Sequence, residues 1–311
     1  MPETCAIVVT FNRKDLLGIC LRTILDAEVA PDKVLVVDNA SSDGTPEFIE
    51  ANFPSTVSVL RLAQNRGGAG GFKAGIEEAV RLGYDFLWTM DDDHEVEPST
   101  LRLMLEALRS LNCDVVGPLI LAPSNNGQLS WEMGPGGKGF RDLNSITKAY
   151  ACRGYFEKIP DAFNAALYRR SVFEKLGPPD DRLFIRGDEV EFGLRMEKNH
   201  IRGIVLTGAK VRHPAAPGDS CAVLSLGGLK LTAYYTGNRL KDYCIFRNRA
   251  FYFKKYGRYK SLLLDPPRYL IFFLMRRKLD IRGLGLWWKG YLDGISGRFG
   301  YEREILKSAA K

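Results

Sequence analysis

Phe86-Leu87-Trp88-Thr89-Met90-Asp91-Asp92-Asp93-His94-Glu95-Val96-Glu97-Pro98 opens with a short apolar run, Phe86 to Met90, that stops at three consecutive carboxylates. A short apolar run bounded by polar residues predicts a buried strand. Pro98 followed by Ser99 and Thr100 predicts the start of a helix. The carboxylates then lie at the carboxyl end of a core strand, where open α/β sheets bind their ligands. Adjacent like charges repel, and a hard divalent cation such as Mg2+ or Mn2+ held by oxygen ligands would relieve that repulsion. A solvated acidic turn capping the next helix fits the isolated tripeptide as well, so the rest of the chain has to decide.

Toward the amino terminus the same grammar repeats. Cys5 to Val9 is a continuous apolar run ending in Thr10-Phe11-Asn12-Arg13. Leu17, Leu21, Ile24 and Leu25 then fall on one face of a helix. Lys33 to Val37 is a second buried strand, closing in Asp38-Asn39-Ala40-Ser41-Ser42-Asp43-Gly44-Thr45, with Pro46 opening a helix. Val57 to Leu62 is a third strand, and Gln64 to Gly75 a glycine-rich turn running into a helix that ends near Gly83. Strands and helices alternating in this way predict a doubly wound, mostly parallel α/β sheet with polar strand ends converging on one crevice. A dinucleotide fingerprint fails, because Gly68 and Gly70 are followed by Lys73 where the third glycine is needed, and no Gly-Lys-Ser/Thr loop occurs.

Toward the carboxyl terminus the pattern loosens. Val115 to Leu121, Ala162 to Leu167, Ile204 to Leu206 and Lys210 to Arg212 read as strands, the last ending at His213. Ser171 to Leu176 reads as a short helix, and residues 125 to 139, carrying Trp131, as a long loop of the kind that often binds ligands. Asp188-Glu189 precedes a helix expected to turn Val190, Leu194 and Phe192 inward. From Leu229 onward aromatic and basic residues recur at helical spacing, which suggests a helical, basic-aromatic extension over 229–311 after an α/β domain over 1–228.

Composition sets bounds on function. The 311 residues are 45% hydrophobic and 26% charged, values of an ordinary globular protein with a sizeable core. The six cysteines, Cys5, Cys20, Cys113, Cys152, Cys221 and Cys244, form no Cys-x-x-Cys pair. That argues against a zinc site or disulfide framework and fits a reducing cytosol. Met1-Pro2-Glu3-Thr4 lacks the basic segment and apolar core of a signal peptide. Residues 230–311 carry 19 Lys or Arg against 6 Asp or Glu, a net of +13, so the preceding part holds −6 of the overall +7. A basic tail on an acidic body suggests an anionic surface as partner. A nucleic-acid reading would need basic residues across the sheet, and that part is acidic.

Taken together and in order, Thr10-Phe11-Asn12-Arg13, Val36-Val37-Asp38-Asn39 with Ser41 to Thr45, Asn65 to Gly71, Asp91-Asp92-Asp93, Gly187-Asp188-Glu189, His213 and Arg247-Asn248 resemble the family-two inverting glycosyltransferases with the GT-A fold. The likeness reaches about Tyr256. It is strongest to the galactofuranosyltransferases and rhamnosyltransferases that build bacterial surface polysaccharides.

The resemblance implies a nucleotide-diphosphate sugar donor, with UDP-galactofuranose or dTDP-rhamnose favoured, and a glycan or polyprenyl-diphosphate-linked acceptor. It implies that Thr10, Phe11, Asn12, Arg13, Asp38, Asn65, Gly70, Gly71, Asp91 and Asp92 meet the donor. Asp91, Asp93 and His213 would hold Mn2+ or Mg2+. Asp38 to Thr45 also fits a plain turn and helix cap, and Gly67 to Gly71 a tight turn.

The family's base is usually Asp at the second acidic position. Here Glu189 follows Asp188, which leaves open which of the two serves. Trp131 could stack on an acceptor sugar or fill a core. The tail's Tyr269 to Met275 run is too short to span a bilayer; with Arg276-Arg277-Lys278 and Trp287-Trp288-Lys289 it fits an interfacial helix on the inner face of the cell membrane, and equally a tail that packs its aromatics on the sheet and exposes its lysines. A sugar nucleotidyltransferase would need a glycine-rich loop directly after the first strand, and Thr10 to Asp15 contains no glycine.

Overall fold

The computed structural model describes residues 2–123, 127–136, 139–214, 220–226 and 229–309. The chain divides into two compact units, Met1–Asp180 with Phe192–Ala215, and Asp181–Glu191 with Ala216–Lys311.

The first unit carries β1 (Thr4–Thr10), β2 (Lys33–Asp38), β3 (Val57–Arg61), β4 (Phe86–Asp91), β5 (Glu95–Val96), β6 (Val115–Leu121), β7 (Gln128–Met133), β8 (Phe140–Asp142), β9 (Tyr155–Glu157), β10 (Ala166–Arg169) and β11 (Gly203–Arg212). Its helices are α1 (Lys14–Leu25), α2 (Thr45–Asn52), α3 (Gly67–Arg81), α4 (Thr100–Ser110), α5 (Leu143–Ala149) and α6 (Arg170–Leu176), and the unit boundary falls within α7 (Asp188–Lys198). The sheet runs β3-β2-β1-β4-β10-β6-β11-β5. Pairs β1–β2, β2–β3, β1–β4 and β6–β11 are parallel, and β10 runs antiparallel between β4 and β6. This is the mixed, mostly parallel α/β sheet that the strand grammar predicts.

Burial follows the two-residue period of a strand. In β1, Ala6 and Val8 pack with Leu17, Leu21 and Ile24 of α1 on one face, while Cys5, Ile7 and Val9 pack with Phe72 and Ile76 of α3 on the other. Both faces are covered, which is why the run reads as continuously apolar. The glycines of α3 let that helix sit directly on the sheet. A Cβ on Gly71 would stand 2.5 Å from Val9 Cγ1, and one on Gly75 2.5 Å from Ile7 Cγ2.

Several expectations need correction. The strand expected over Ala162 to Leu167 begins only at Ala166, because Phe163 and Ala165 adopt left-handed φ of 67° and 54° that no strand accommodates. The two short strands near His213 are one, β11, whose pairing with β6 shifts register between Val205 and Lys210. Trp131 lies in strand β7 instead of a loop; residues 125, 126, 137 and 138 of that expected loop are outside the described residues. Asp188 and Glu189 form the first turn of α7 instead of preceding it, and Val190 is 40% exposed while Phe192 and Leu194 are buried.

The second unit opens with a 3-10 turn (Asp181–Leu183). It continues with an antiparallel pair, β12 (Ser220–Leu226) and β13 (Leu229–Tyr234), where helix was expected from Leu229. Helices α8 (Arg239–Lys255), α9 (Tyr259–Ile271), a π-helical turn (Phe272–Arg276), α10 (Ile281–Ser296) and α11 (Tyr301–Ala309) follow. Tyr243, Phe246, Arg247 and Ala250 of α8 are buried. Asn248 donates to the carbonyls of Leu183 (2.9 Å), Ile185 (3.2 Å) and Arg186 (2.6 Å), fixing the loop that leads to Gly187.

Candidate active site

The strand order reverses around β1 and β4, whose register pairs Val9 with Asp91. Polar groups from the ends of β1, β2, β4 and β11 gather there, at the switch point where such sheets leave a crevice.

Asp92 is the anchored member of the acidic run. It is 3% exposed, Thr10 Oγ1 donates to its Oδ2 at 2.7 Å, and Arg13 Nη1 donates to its Oδ1 at 3.2 Å. The same Arg13 nitrogen reaches Asp93 Oδ2 at 3.1 Å. Thr10 and Arg13, expected at the donor, thus spend polar atoms on holding these carboxylates. Phe11 beside them is 42% exposed.

Register explains how the distant histidine arrives. β5 pairs antiparallel with β11, with Arg212 opposite Glu95. The next residue on each strand is therefore His213 opposite His94, and their ring centroids stand 4.5 Å apart. The backbone N–H of His213 donates to Leu121 O, and Ser130 Oγ donates to His213 O at 2.7 Å. His213 Nε2 lies 3.2 Å from Asp93 Oδ1, and His94 Nδ1 3.8 Å from the same oxygen. The ligating atoms of Asp93, His94 and His213 all lie within 4.8 Å of one another. Asp91 is outside this group, and His94, to which the sequence reading assigns no role, is inside it.

The electrostatics are those of crowded carboxylates facing imidazoles. Desolvation, then the charges of Asp93 and Asp92, push the Asp91 carboxyl up to about 7. Asp93 goes the other way: burial opposes it, yet contact with and charge on His213 bring it down to about 2. For His213 burial disfavours the charge, but Asp93 and Asp91 outweigh it and raise the pKa. His94 is fully buried, and desolvation followed by the charge of His213 lowers it to about 3, so it is neutral. Its Nδ1 lies 3.2 Å from Asp91 O, which assigns the proton to Nδ1 and leaves a lone pair on Nε2.

This set fits a divalent cation. Asp93 Oδ1 and His213 Nε2 face each other at 3.2 Å, and the buried Nε2 of His94 has no hydrogen-bond partner, an arrangement that calls for a ligand. Neighbouring donors on one ion at about 2.1 Å stand about 3 Å apart, close to the Asp93–His213 spacing. Two imidazoles beside a carboxylate suit a transition-metal ion better than Mg2+.

Around this group, Asp38 at the end of β2 is fully buried; its Oδ1 accepts from Ser41 N at 2.9 Å, and its Oδ2 has no hydrogen-bond partner. Asn12, at a left-handed φ of 53°, accepts from Ser42 N at 2.7 Å. Asn65 Oδ1 accepts from Gly67 N at 2.8 Å and so tightens the turn into α3. Gly70 lies against Arg66, and Gly71 against Val9 and Asn39. Trp131 meets His213 edge-on with centroids 5.7 Å apart, and its Nε1 donates to Asp161 Oδ2 at 2.7 Å. Asp161, Ser130 and Asn39 are supporting residues that sequence reasoning missed. His94 carried one signal, its place directly after the carboxylates.

Asp188 and Glu189 belong to the second unit. Asp188 is 6% exposed. Glu189 is half-buried, and its Oε2 accepts from Gly187 N at 2.8 Å at the start of α7.

A sequence profile described as Glycosyl transferase family 2 matches residues 5–177. The chain is 30% identical over 288 residues to the galactofuranosyltransferase GlfT1 of Mycolicibacterium smegmatis, covering 91% of this chain and 93% of that protein. It is 25% identical over 236 residues to an N-acetylglucosaminyl-diphospho-decaprenol L-rhamnosyltransferase of Mycobacterium tuberculosis, covering 68% and 75%. Among solved structures, the mannosyltransferase PcManGT of Pyrobaculum calidifontis in complex with GDP-Man and Mn2+ aligns with a TM-score of 0.53 at 16% identity, covering 99% of this chain and 79% of that one. That likeness speaks for a common GT-A-like fold.

Proposed function

The chain belongs to glycosyl transferase family 2, and from that premise we propose an inverting, metal-dependent transfer of galactofuranose from UDP-galactofuranose to a lipid-linked glycan. The carrying observation is the Asp93–His94–His213 group, whose ligand atoms lie within 4.8 Å of one another at the strand-end carboxylates. Galactofuranose is preferred over rhamnose because the galactofuranosyltransferase relative matches across nearly the whole chain, and at higher identity than the rhamnosyltransferase.

Asp93 and His213, with His94, would hold Mn2+; Mg2+ is the alternative ion. When bound, the cation neutralises charge on the departing diphosphate. The buried Oδ2 of Asp38, which faces Arg61 Nε at 3.7 Å and accepts no hydrogen bond, is proposed to meet a nucleoside hydroxyl or base N–H, with Asn12, Asn65 and Phe11 also at the donor. Thr10 and Arg13 keep Asp92 and Asp93 oriented. Inversion is a single displacement. The acceptor oxygen bonds to the anomeric carbon, its proton passes to a carboxylate, and the bond to the nucleoside diphosphate breaks. We assign the base to Glu189, since a base has to be reachable and Asp188 is buried. Trp131 is proposed to stack on the acceptor. The acceptor's lipid and the basic tail suit an enzyme peripheral to the inner face of the cell membrane.

A panel of UDP-galactofuranose, dTDP-rhamnose and UDP-glucose with Mn2+ tests this. UDP-galactofuranose should turn over fastest, chelation should stop it, and Asp93→Ala should abolish it. Preference for dTDP-rhamnose would overturn the sugar assignment, and no turnover of any donor would overturn the reaction. With acceptor present, Glu189→Gln should stop transfer while donor affinity holds; if Asp188→Asn alone does so, the base is misassigned.

A further inference from the structure

Exposed apolar side chains in the second unit fall into a pattern. In α9 and the π-helical turn, Leu263, Pro267, Leu270 and Leu274 follow one another at helical spacing, and all are exposed. In α10, Ile281, Gly285, Trp288 and Leu292 do the same. Each helix therefore turns an apolar stripe outward, the reverse of a helix that only packs on its own core. The opposite faces are well buried. Tyr269 stacks on Trp287 with centroids 5.4 Å apart, and Phe272 and Phe273 are fully or almost fully covered.

The two stripes meet at the turn between the helices, Leu274-Met275-Arg276-Arg277-Lys278-Leu279-Asp280-Ile281-Arg282. Met275 is 71% exposed, Leu279 66% and Ile281 74%. The backbone here is ordered: Leu279 N donates to Leu274 O, Asp280 N to Phe273 O and Ile281 N to Leu279 O. Lys278 and Leu279 hold φ of 50° and 66°, a left-handed conformation that side chains with a Cβ adopt only at a steric cost. Strain of this kind persists where the surroundings impose it, and it often marks a working surface. Arg276, Arg277, Lys278 and Arg282 outnumber Asp280, whose carboxylate caps α10 by accepting from Gly283 N at 2.8 Å. Arg276 Nε donates to Val223 O at 3.1 Å, and Arg277 lies over the Tyr235 ring at 4.9 Å, so their stems are fixed.

We propose that residues 274–282 are the tip by which the protein inserts into an anionic lipid bilayer, with the Leu263 and Trp288 stripes lying in the headgroup region. This deepens the peripheral placement suggested above by naming the segment responsible. Apolar side chains alternating with cations, flanked by an exposed Trp, match the chemistry of a membrane interface. None of the helices among the described residues is long and apolar enough to cross a membrane, so contact at one leaflet is the mode this surface fits.

Flotation of the full chain with phosphatidylcholine vesicles, with and without phosphatidylglycerol, tests the proposal. The parent should float with anionic vesicles and lose binding as salt rises. Tryptophan emission should shift to the blue on the same vesicles, and Trp288→Phe should remove the shift. Met275→Ser/Leu279→Ser/Ile281→Ser should weaken partitioning on the order of a hundredfold. Arg277→Glu/Lys278→Glu, which keeps the apolar residues, should weaken it at least about fivefold per position. A parent that stays unbound on both lipids, or a triple variant that floats like the parent with an unchanged melting temperature, overturns the proposal. Equal flotation on neutral vesicles removes the role of the charges. Donor hydrolysis by the same preparations separates the two readings: hydrolysis without flotation sinks only the tip, and flotation without hydrolysis sinks only the reaction.

Discussion

Removing a carboxylate should make the metal-free protein more stable. Asp91 is held partly buried against Asp92 and Asp93, and its carboxyl is raised from 3.8 to about 7. A raised acid means that the fold disfavours the charged form. Above the unfolded pKa that cost accumulates, and it levels off once pH passes the folded value. At one pKa unit per 1.36 kcal/mol the ceiling near neutral pH is about 4 kcal/mol. Solvent reaching the strand end reduces this to roughly 2 kcal/mol. Asp91→Asn keeps the volume and discards the charge. For a unit of this size 1 kcal/mol shifts the melting temperature by about 2–4 °C, so the variant should melt about 4–8 °C higher at pH 7.5 in chelator. At pH 4 both forms are neutral in the fold and the gap should close. Saturating Mn2+ should narrow it at pH 7.5, because the cation neutralises the repulsion felt by the parent. Differential scanning calorimetry at pH 4, 6 and 7.5, with chelator and with Mn2+, reads all three. A variant less stable than the parent, or a gap independent of pH, refutes the reasoning.

Three further outcomes follow from packing and pairing. His94→Gln should weaken Mn2+ binding by about 10–100-fold by calorimetry while the apo protein stays folded; unchanged affinity would remove His94 from the metal group. Gly75→Ala should destabilise despite the better helix former, because the new Cβ meets Ile7 Cγ2 at 2.5 Å and Val37 Cγ2 at 2.8 Å. Overpacking of about 1–3 kcal/mol exceeds a propensity gain of about 1 kcal/mol, and a higher urea midpoint would contradict it. Arg247 is fully buried, pairs with Glu302 and donates to Leu183 O at 2.8 Å. Arg247→Ala strands the buried Glu302 charge and should cost about 3–5 kcal/mol in chemical denaturation. A loss below about 1 kcal/mol would mean that water replaces the pair.

What could be read from the chain, and what could not, divides along a physical line. β1, β2, β4 and β6 were legible because strands covered on both faces must be apolar throughout and must stop where the cover stops, so Thr10, Asp38 and Asp91 announce themselves as strand ends. β13 carried its own signal too, with Leu229, Leu231 and Ala233 alternating with Lys230, Thr232 and Tyr234, but basic and aromatic composition masked that period. β5 could not be found this way, since two residues show no period at all. Yet β5 is what brings His94 against His213, through the register of Arg212 with Glu95. The carboxylate run is one element's contribution to a cation site and approaches it from one side. A cation held from one side only stays largely hydrated, and the groups that complete its shell come from elements whose neighbours are chosen by long-range pairing. Local sequence therefore encodes the carboxylates, and the pairing of strands more than a hundred residues apart decides which imidazoles face them.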